Sequence, residues 1–266
     1  MEKATIKRQK IGQIAFAMFA IILFTALSFL STIGNAMGNS KDIGRRASAI
    51  GRWTFIDPES GISRALARER ARLYRDVRYN LSFDIAASAD RLRGREQITF
   101  TLTAPTASLI IDFRDVDAKG APIEGTVHDI KVNGAAVRDA RQARGHLIIP
   151  GHYLSVGSNR VELSFESSIR AAGTAVTRYI DKNDGAEYIY TLFVPSDANL
   201  AFPCFDQPDI KARFLLDITA PDGWTVVSNG AIEDAQAARA GYRRVRFKET
   251  LPISTYLVCF RGGALR

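Results

Sequence analysis

From Val77 onward, apolar residues fall on every second position. Val77, Tyr79, Leu81, Phe83 and Ile85 alternate with polar neighbours, as do Ile98, Phe100 and Leu102, then Val161, Leu163 and Phe165, then Phe214, Leu216 and Ile218. A period of two puts one set of side chains on one face of an extended strand, so each segment predicts a half-buried β-strand. LIIDF (109–113), HLIIP (146–150), YIYTLF (188–193), WTVVSNG (224–230), YRRVRF (242–247) and ISTYLVCF (253–260) are further strand candidates. Turn chemistry such as Asn133-Gly134 and Asn229-Gly230 separates them. No helical period of useful length follows residue 76, so the expected fold class is all-β: a sandwich or curled antiparallel sheets.

The first 75 residues read differently. From Ile14 to Leu30 no residue is charged, and Lys3, Lys7, Arg8 and Lys10 precede the run. A basic flank, an apolar stretch and the small-residue exit Gly34-Asn35-Ala36 fit a signal peptide over 1–37, and the run also approaches the length of a membrane anchor. Residues 38–58 mix Gly, Ser and charge without period and read as a linker. ISRALARERARLYRD then predicts a short basic helix with Ser60 or Ser63 as N-cap. Ile62, Leu66 and Leu73 share one side. Arg64, Arg68, Arg70, Arg72 and Arg75 cover much of the rest, as a solvated face or as a contact for anionic headgroups beside an anchor. The organisation expected is therefore leader (1–37), linker and basic helix (38–75) and β domain (76–266).

Charge follows the same division. The formal net charge of +8 lies in residues 1–75, while Lys/Arg and Asp/Glu balance over 76–266. A domain that gripped nucleic acid phosphates would keep a basic excess on its folded body, so a nucleic-acid partner is not expected. The two cysteines, Cys204 and Cys259, each sit among apolar neighbours, which predicts two separate buried thiols.

Catalytic patterns are missing from the residues themselves. His128, His146 and His152 are the only histidines, none is followed by Glu, and so there is no H-E-x-x-H pair for zinc. Each histidine reads as a surface or core residue. Asp181-Lys-Asn-Asp184-Gly185 is one residue short of a calcium loop and is explained by a hairpin bend. Asn80-Leu-Ser82 fits a glycosylation triplet but falls inside an expected strand. There is no G-x-S-x-G elbow and no glycine-rich phosphate loop. On its own residues the chain is expected to be inactive and to carry no cofactor.

One stretch remains: LAFPCFDQPDIKARF, residues 200–214. Pro203 and Pro208 cannot lie mid-ladder, so the stretch is a shaped corner leading into a strand from about Lys211 to Ala220. Phe202 and Phe205 are expected to pack and Asp206 to bond local backbone; Pro203, Cys204, Gln207 and Pro208 complete the corner. Arg178-Tyr-Ile-Asp181, Asp184-Gly185, Tyr188-Ile-Tyr-Thr191, Asp197-Ala198, this corner, WTVVSNG and ISTYLVCF occur in that order. The series resembles the N-terminal domain of the aminopeptidase N family of zinc metallopeptidases, over about Val77 to Phe260. The resemblance implies a saddle-shaped all-β domain whose corner packs near the catalytic domain that follows it. It also implies a family activity, removal of N-terminal amino acids from peptides, whose zinc, glutamate base and G-x-M-E-N loop lie in that later domain. Family members often carry Gln and Glu upstream of the corner to hold the substrate's free amine. Those positions fall on Leu192 and Val194, which cannot ion-pair an ammonium group and are expected either to line that pocket or to pack in the strand core. The expectation is thus a truncated, non-catalytic domain of an exported or membrane-anchored enzyme. Its partner would be the missing catalytic domain. The alternative is a stand-alone β-sandwich module binding an envelope protein or peptide.

Overall fold

A computed structural model describes residues 58–117, 119–171 and 174–264. The apolar run of the leader and the linker up to residue 57 lie outside the described residues.

The basic helix α1 spans Arg64–Leu73. Its N-cap is Ser63, whose hydroxyl accepts from the Leu66 N–H at 3.2 Å. Leu66 and Leu73 are buried as their spacing requires, and Arg70 lies buried between them. The expectation that all five arginines form a solvated face is therefore corrected at Arg70. It occupies position i+4 from Leu66 and i−3 from Leu73, which is the inward stripe.

The chain leaves α1 straight into β1 (Tyr74–Asp84). Asp76 takes the left-handed conformation at φ 53°, and the register with β2 slips between Arg75 and Arg78. This bulge sets the parity in which Val77, Tyr79, Leu81 and Phe83 all face inward. β2 (Arg91–Leu102), β3 (Ser108–Asp112), β4 (Arg114–Val116), β5 (Pro122–Glu124), β6 (Thr126–Val132), β7 (Ala135–Ala136), β8 (Arg141–Ala143), β9 (His146–Pro150) and β10 (Gly157–Ser168) follow. β11 (Val176–Ile180), β12 (Glu187–Thr191), β13 (Arg213–Pro221), β14 (Thr225–Ser228), β15 (Ile232–Ala237), β16 (Tyr242–Phe247) and β17 (Phe260–Gly263) complete the described strands.

One large sheet has the order β15-β16-β13-β1-β2-β10-β6-β7, and smaller sheets have the orders β11-β12-β17-β14, β3-β9-β8 and β4-β5. The described residues are thus mostly β, in several sheets with one short helix, as the alternation predicts. The expectation of purely antiparallel pairing is corrected at the centre, where β1 and β13 run parallel with Tyr79 opposite Phe214. More than a hundred residues of chain separate the two strands, so no hairpin forces them to oppose. ISTYLVCF is the second correction. Thr255–Leu257 form a 3-10 turn, and the strand begins only at Phe260.

The core lies against the inward face of the large sheet. Tyr79, Phe83, Phe100, Phe165 and Phe214 meet Phe113, Phe202, Phe205 and Phe260 from the smaller sheets and the corner in one apolar cluster. Tyr79 stacks on Phe214 with ring centres 4.9 Å apart, and Tyr74 on Phe205 at 4.7 Å. Aromatic pairs of this kind add to the burial of their own area. Gly94 exists for the Phe165 ring: a Cβ there would come within 2.1 Å of it.

Candidate functional site

The corner faces inward. Every side chain from Phe202 to Gln207 is buried, and only Pro208 of the motif is exposed. Its backbone joins β3 by a two-way bridge: the Asp112 N–H donates to the Cys204 carbonyl at 2.8 Å, and the Cys204 N–H returns to the Asp112 carbonyl at 3.0 Å. Tyr79 Oη accepts from the Phe205 N–H at 2.9 Å, and Gln207 Nε2 donates to the Ala67 carbonyl of α1. Asp206 bonds more widely than local backbone. Its carboxylate accepts from the Asn199 N–H at 3.2 Å, from Asn199 Nδ2 at 2.6 Å and from Thr255 Oγ1 at 2.7 Å. The last bond, with Ser254 Oγ donating to the Pro208 carbonyl, holds 254–257 as a turn rather than a strand.

Behind the corner lies a buried polar centre. Arg70 reaches from α1 to clamp both oxygens of Asp112, at 2.6 and 2.7 Å, and also donates to the Ile110 carbonyl. The same carboxylate accepts from the Asp206 N–H at 2.9 Å and meets His146 Nδ1 at 2.8 Å. Burial alone would push the Asp112 carboxyl up, but the Arg70 charge and the His146 and Arg70 hydrogen bonds hold it below its ordinary value. His146 Nε2 faces the Glu59 and Gly61 carbonyls at 3.0 and 3.1 Å, so each ring nitrogen has an oxygen within hydrogen-bond distance. Arg70 had the helical spacing to betray it. Asp112 lay inside the apolar run LIIDF, where a lone carboxylate signals a buried partner.

This centre does not fit zinc. Both nitrogens of His146 are already engaged, and among the described residues no three of His, Cys, Asp and Glu converge on a point that could hold a metal ion. Asp181 and Asp184 serve the β11–β12 hairpin, accepting from the Asn183 and Ala186 N–H groups. Burial pushes the Cys204 thiol well up and desolvation also raises that of Cys259, which is exposed rather than buried as its neighbours predicted. The two thiols are free.

What faces outward is apolar. In the four-stranded sheet Val176, Ile189, Val226 and Phe260 point into the core. The opposite parity carries Tyr179 paired across to Tyr188, and a row running from Tyr190 to Arg261 to Val227. Leu192 and Val194 continue that outward parity past the end of β12, 61% and 56% exposed. Packing within the strand core is thereby corrected for both, since neither is buried. The loop beyond them turns through a cis Val194-Pro195 peptide. Tyr179, Tyr190, Leu192, Val194 and Val227 are all exposed here, with Ile180 at the end of β11 and Leu257 on the neighbouring turn also exposed. The other large exposed apolar side chains, Ile123, Val156, Ile232 and Leu251, belong to other parts of the fold. A shallow cavity of about 610 Å³ opens on the face, lined by Tyr179, Tyr188, Tyr190, Val227, Cys259 and Arg261, with Asp181 at its side. The Arg261 guanidinium lies 5.3 Å from the centre of the Tyr188 ring. Concentrated apolar exposure rimmed by polar groups is a feature that interaction surfaces share.

Comparison with known proteins agrees with these features. The family model described as the peptidase M1 N-terminal domain matches residues 76–257. Aminopeptidase N of Streptomyces lividans is 29% identical over 175 residues, 65% of this chain and 19% of that protein. The probable M1 family aminopeptidase 1 of Encephalitozoon cuniculi is 36% identical over 155 residues, 52% of this chain and 17% of its own. Human glutamyl aminopeptidase is 26% identical over 190 residues, covering 69% and 20%. The M1 zinc metallopeptidase of Deinococcus radiodurans shares the fold with a TM-score of 0.55 at 20% identity, over 71% of this chain and 42% of that one. The chain spans about one fifth of the length of the curated relatives it matches. By the match of most of its length to their N-terminal domain, this chain belongs to the M1 family of metallopeptidases.

Proposed function

We propose that this chain is the non-catalytic, saddle-shaped N-terminal domain of an exported or membrane-anchored zinc aminopeptidase. The outer face of its four-stranded sheet docks on the zinc-bearing catalytic domain, at the side where peptides present their free N-terminus. The observation that carries this reading is the apolar row Tyr190, Leu192, Val194 and Val227, left exposed together on one sheet, whereas Ile123, Val156, Ile232 and Leu251 are exposed elsewhere in the fold. Leu192 and Val194 stand where many relatives carry an amide and a carboxylate. At the rim of the docked face they would shape the pocket sterically and leave recognition of the amine to carboxylates of the catalytic domain. The sequence contributes no H-e-x-x-H pair of its own, so the reading assigns hydrolysis wholly to that domain.

Two measurements test it. The purified chain, given aminoacyl-anilides and added zinc, should release no anilide; hydrolysis that co-purifies with it would overturn the non-catalytic role. Sedimentation of the chain with the catalytic domain of an M1 aminopeptidase made without its own N-terminal domain should reveal a complex that Tyr190→Asp weakens at least tenfold, about 1.4 kcal/mol. A complex indifferent to Tyr190→Asp would place the docking surface elsewhere. The cavity between Tyr179, Tyr190 and Arg261 also suits a second reading, a stand-alone envelope module that holds a protein or peptide partner. No complex with a catalytic domain, together with capture of an envelope peptide that Tyr190→Asp abolishes, would favour it.

A further inference from the structure

Helix α1 carries three arginines that the fold does not use. Arg64, Arg68 and Arg72 stand at i, i+4 and i+8, all exposed. Successive steps of four residues drift by about 40°, so the three lie within an arc of about 80° and along about 12 Å of helix. Leu66, Arg70 and Leu73 occupy the opposite side and are buried. Among the described residues no carboxylate pairs with Arg64, Arg68 or Arg72. The acidic groups nearest in sequence, Glu69 on α1 and Asp76 beyond it, are both exposed.

The stripe is held rigidly. Arg70 clamps Asp112, Gln207 Nε2 donates to the Ala67 carbonyl, and Thr103 Oγ1 donates to the Arg72 carbonyl. Three long cations on a fixed rail repel one another unless something anionic lies over them. The rest of the folded domain is charge-balanced in sum, whereas α1 and its exit carry Arg64, Arg68, Arg70, Arg72 and Arg75 against Glu69. The stripe is also the part of the domain nearest in sequence to the uncharged run Ile14–Leu30 and its basic flanks Lys41, Arg45, Arg46 and Arg52. Attachment through that run would raise the effective concentration of lipid phosphate around α1 without any new contact.

We propose that Arg64, Arg68 and Arg72 form a membrane-contact edge that binds anionic lipid headgroups. Each guanidinium takes phosphate oxygens through its planar fork of donors, while Leu66, Arg70 and Leu73 keep the helix locked to the domain. The edge acts beyond the docking face described above and does not depend on it.

The test is partitioning of the full chain onto phosphatidylcholine vesicles with and without phosphatidylglycerol. Comparing it with the triple variant Arg64→Gln, Arg68→Gln, Arg72→Gln removes any common contribution from the leader. A cation near an anionic surface is worth roughly five-fold in binding, so the variant should lose on the order of 10²-fold on anionic vesicles. Partitioning onto neutral vesicles should be unchanged. The difference should fade in salt concentrated enough to shorten the Debye length to about 3 Å. A second variant, Lys119→Gln, Lys182→Gln, Lys248→Gln, removes equal charge from exposed sites elsewhere and should stay near wild type. The proposal is overturned if the arginine variant binds anionic vesicles like wild type, if the lysine variant loses as much, or if both vesicle types lose equally. Tight duplex DNA binding through the same arginines would overturn it too, by naming a different polyanion.

Discussion

The corner region and the outer face of the four-stranded sheet are opposites in the use they make of chemistry. Around the corner, polar groups are buried: Arg70, Asp112, His146 and Asp206 are all at most 3% exposed. On the sheet, apolar groups are exposed, and Leu192 and Val194 keep more than half of their surface. Neither choice maximises the stability of an isolated domain. Burying an ion pair gains little over packed hydrocarbon, and exposing leucine and valine forgoes their transfer energy. The polar centre instead fixes geometry, because a carboxylate shared among a guanidinium, an imidazole and a backbone N–H has very few arrangements that satisfy it. It ties α1, β3, β9 and the corner into one unit. The sheet, fixed from behind by Phe260, Ile189 and Val226, can then offer a flat apolar surface of defined shape.

The sharpest way to break this contrast is Asp112→Ala. It leaves the Arg70 guanidinium buried without its partner and removes the acceptor for His146 and the Asp206 N–H. Loss of one member of such a pair costs about 3–5 kcal/mol, to be read as a fall in the urea midpoint. Asp84→Ala is the matched control. Its carboxylate also takes a two-pronged contact from Arg239, at 2.7 and 2.8 Å, but both side chains are more than 40% exposed, so the change should cost under about 1 kcal/mol. Equal costs for the two would mean that burial is not what distinguishes the corner.

Next in size is Gly94→Val. The added side chain would run into the Phe165 ring, in a core that Phe83 and Phe113 already close from other sides at ring distances of 6.0 and 5.8 Å. Overpacking of this kind should cost about 3 kcal/mol in the same denaturation measurement.

How much of this could be read from residues alone depended on whether the relevant partner was near in sequence. The alternation of β1, β2, β10 and β13 was plain because each strand buries one face along most of its length. β15 offered no such signal: all six of its residues are exposed, and edge pairing with β16 is all that makes it a strand. β4, β5, β7 and β8, of two or three residues each, are too short to display a period. ISTYLVCF alternates like a strand yet turns, because the side chains of Ser254 and Thr255 are bonded to Pro208 and Asp206, far back in the chain. The ordered motifs located the corner correctly but could not give its direction. That direction comes from Tyr79, Asp112 and Ala67, which bond it from the inside.

Glu96 tests the same division at a point where the fold violates it. Its side chain faces the core, opposite Leu81 and Leu163, and neither carboxyl oxygen has a partner among the described residues. Burial pushes this carboxyl well above its ordinary value. The unfolded chain releases the proton near pH 4.3 and the folded chain holds it far longer, so the unfolded state binds fewer protons over that window and stability falls as pH rises. Glu96→Met should therefore stabilise the domain at neutral pH by about 1–2 kcal/mol, as removal of an unsatisfied buried polar group does. The advantage should shrink as pH is lowered toward 4. A gain independent of pH would mean that packing, and not the proton, is responsible.

The smallest effect on stability is expected where the proposed function is concentrated. Leu192→Ser and Val194→Ser alter side chains that touch little of the domain, so each should move the urea midpoint by no more than about 0.5 kcal/mol. The inward row Ile189, Thr191 and Phe193 is substituted by neither change. Binding of an apolar dye to the exposed face should nevertheless fall in the double variant, and so should association with a catalytic domain, because both read the surface rather than the core. The pairing of a near-zero stability change with a clear loss of association is what separates a docking face from a poorly packed edge. If the double variant instead lost as much stability as Gly94→Val, Leu192 and Val194 would belong to the core after all, and the contrast between the two regions would fail at its outer end.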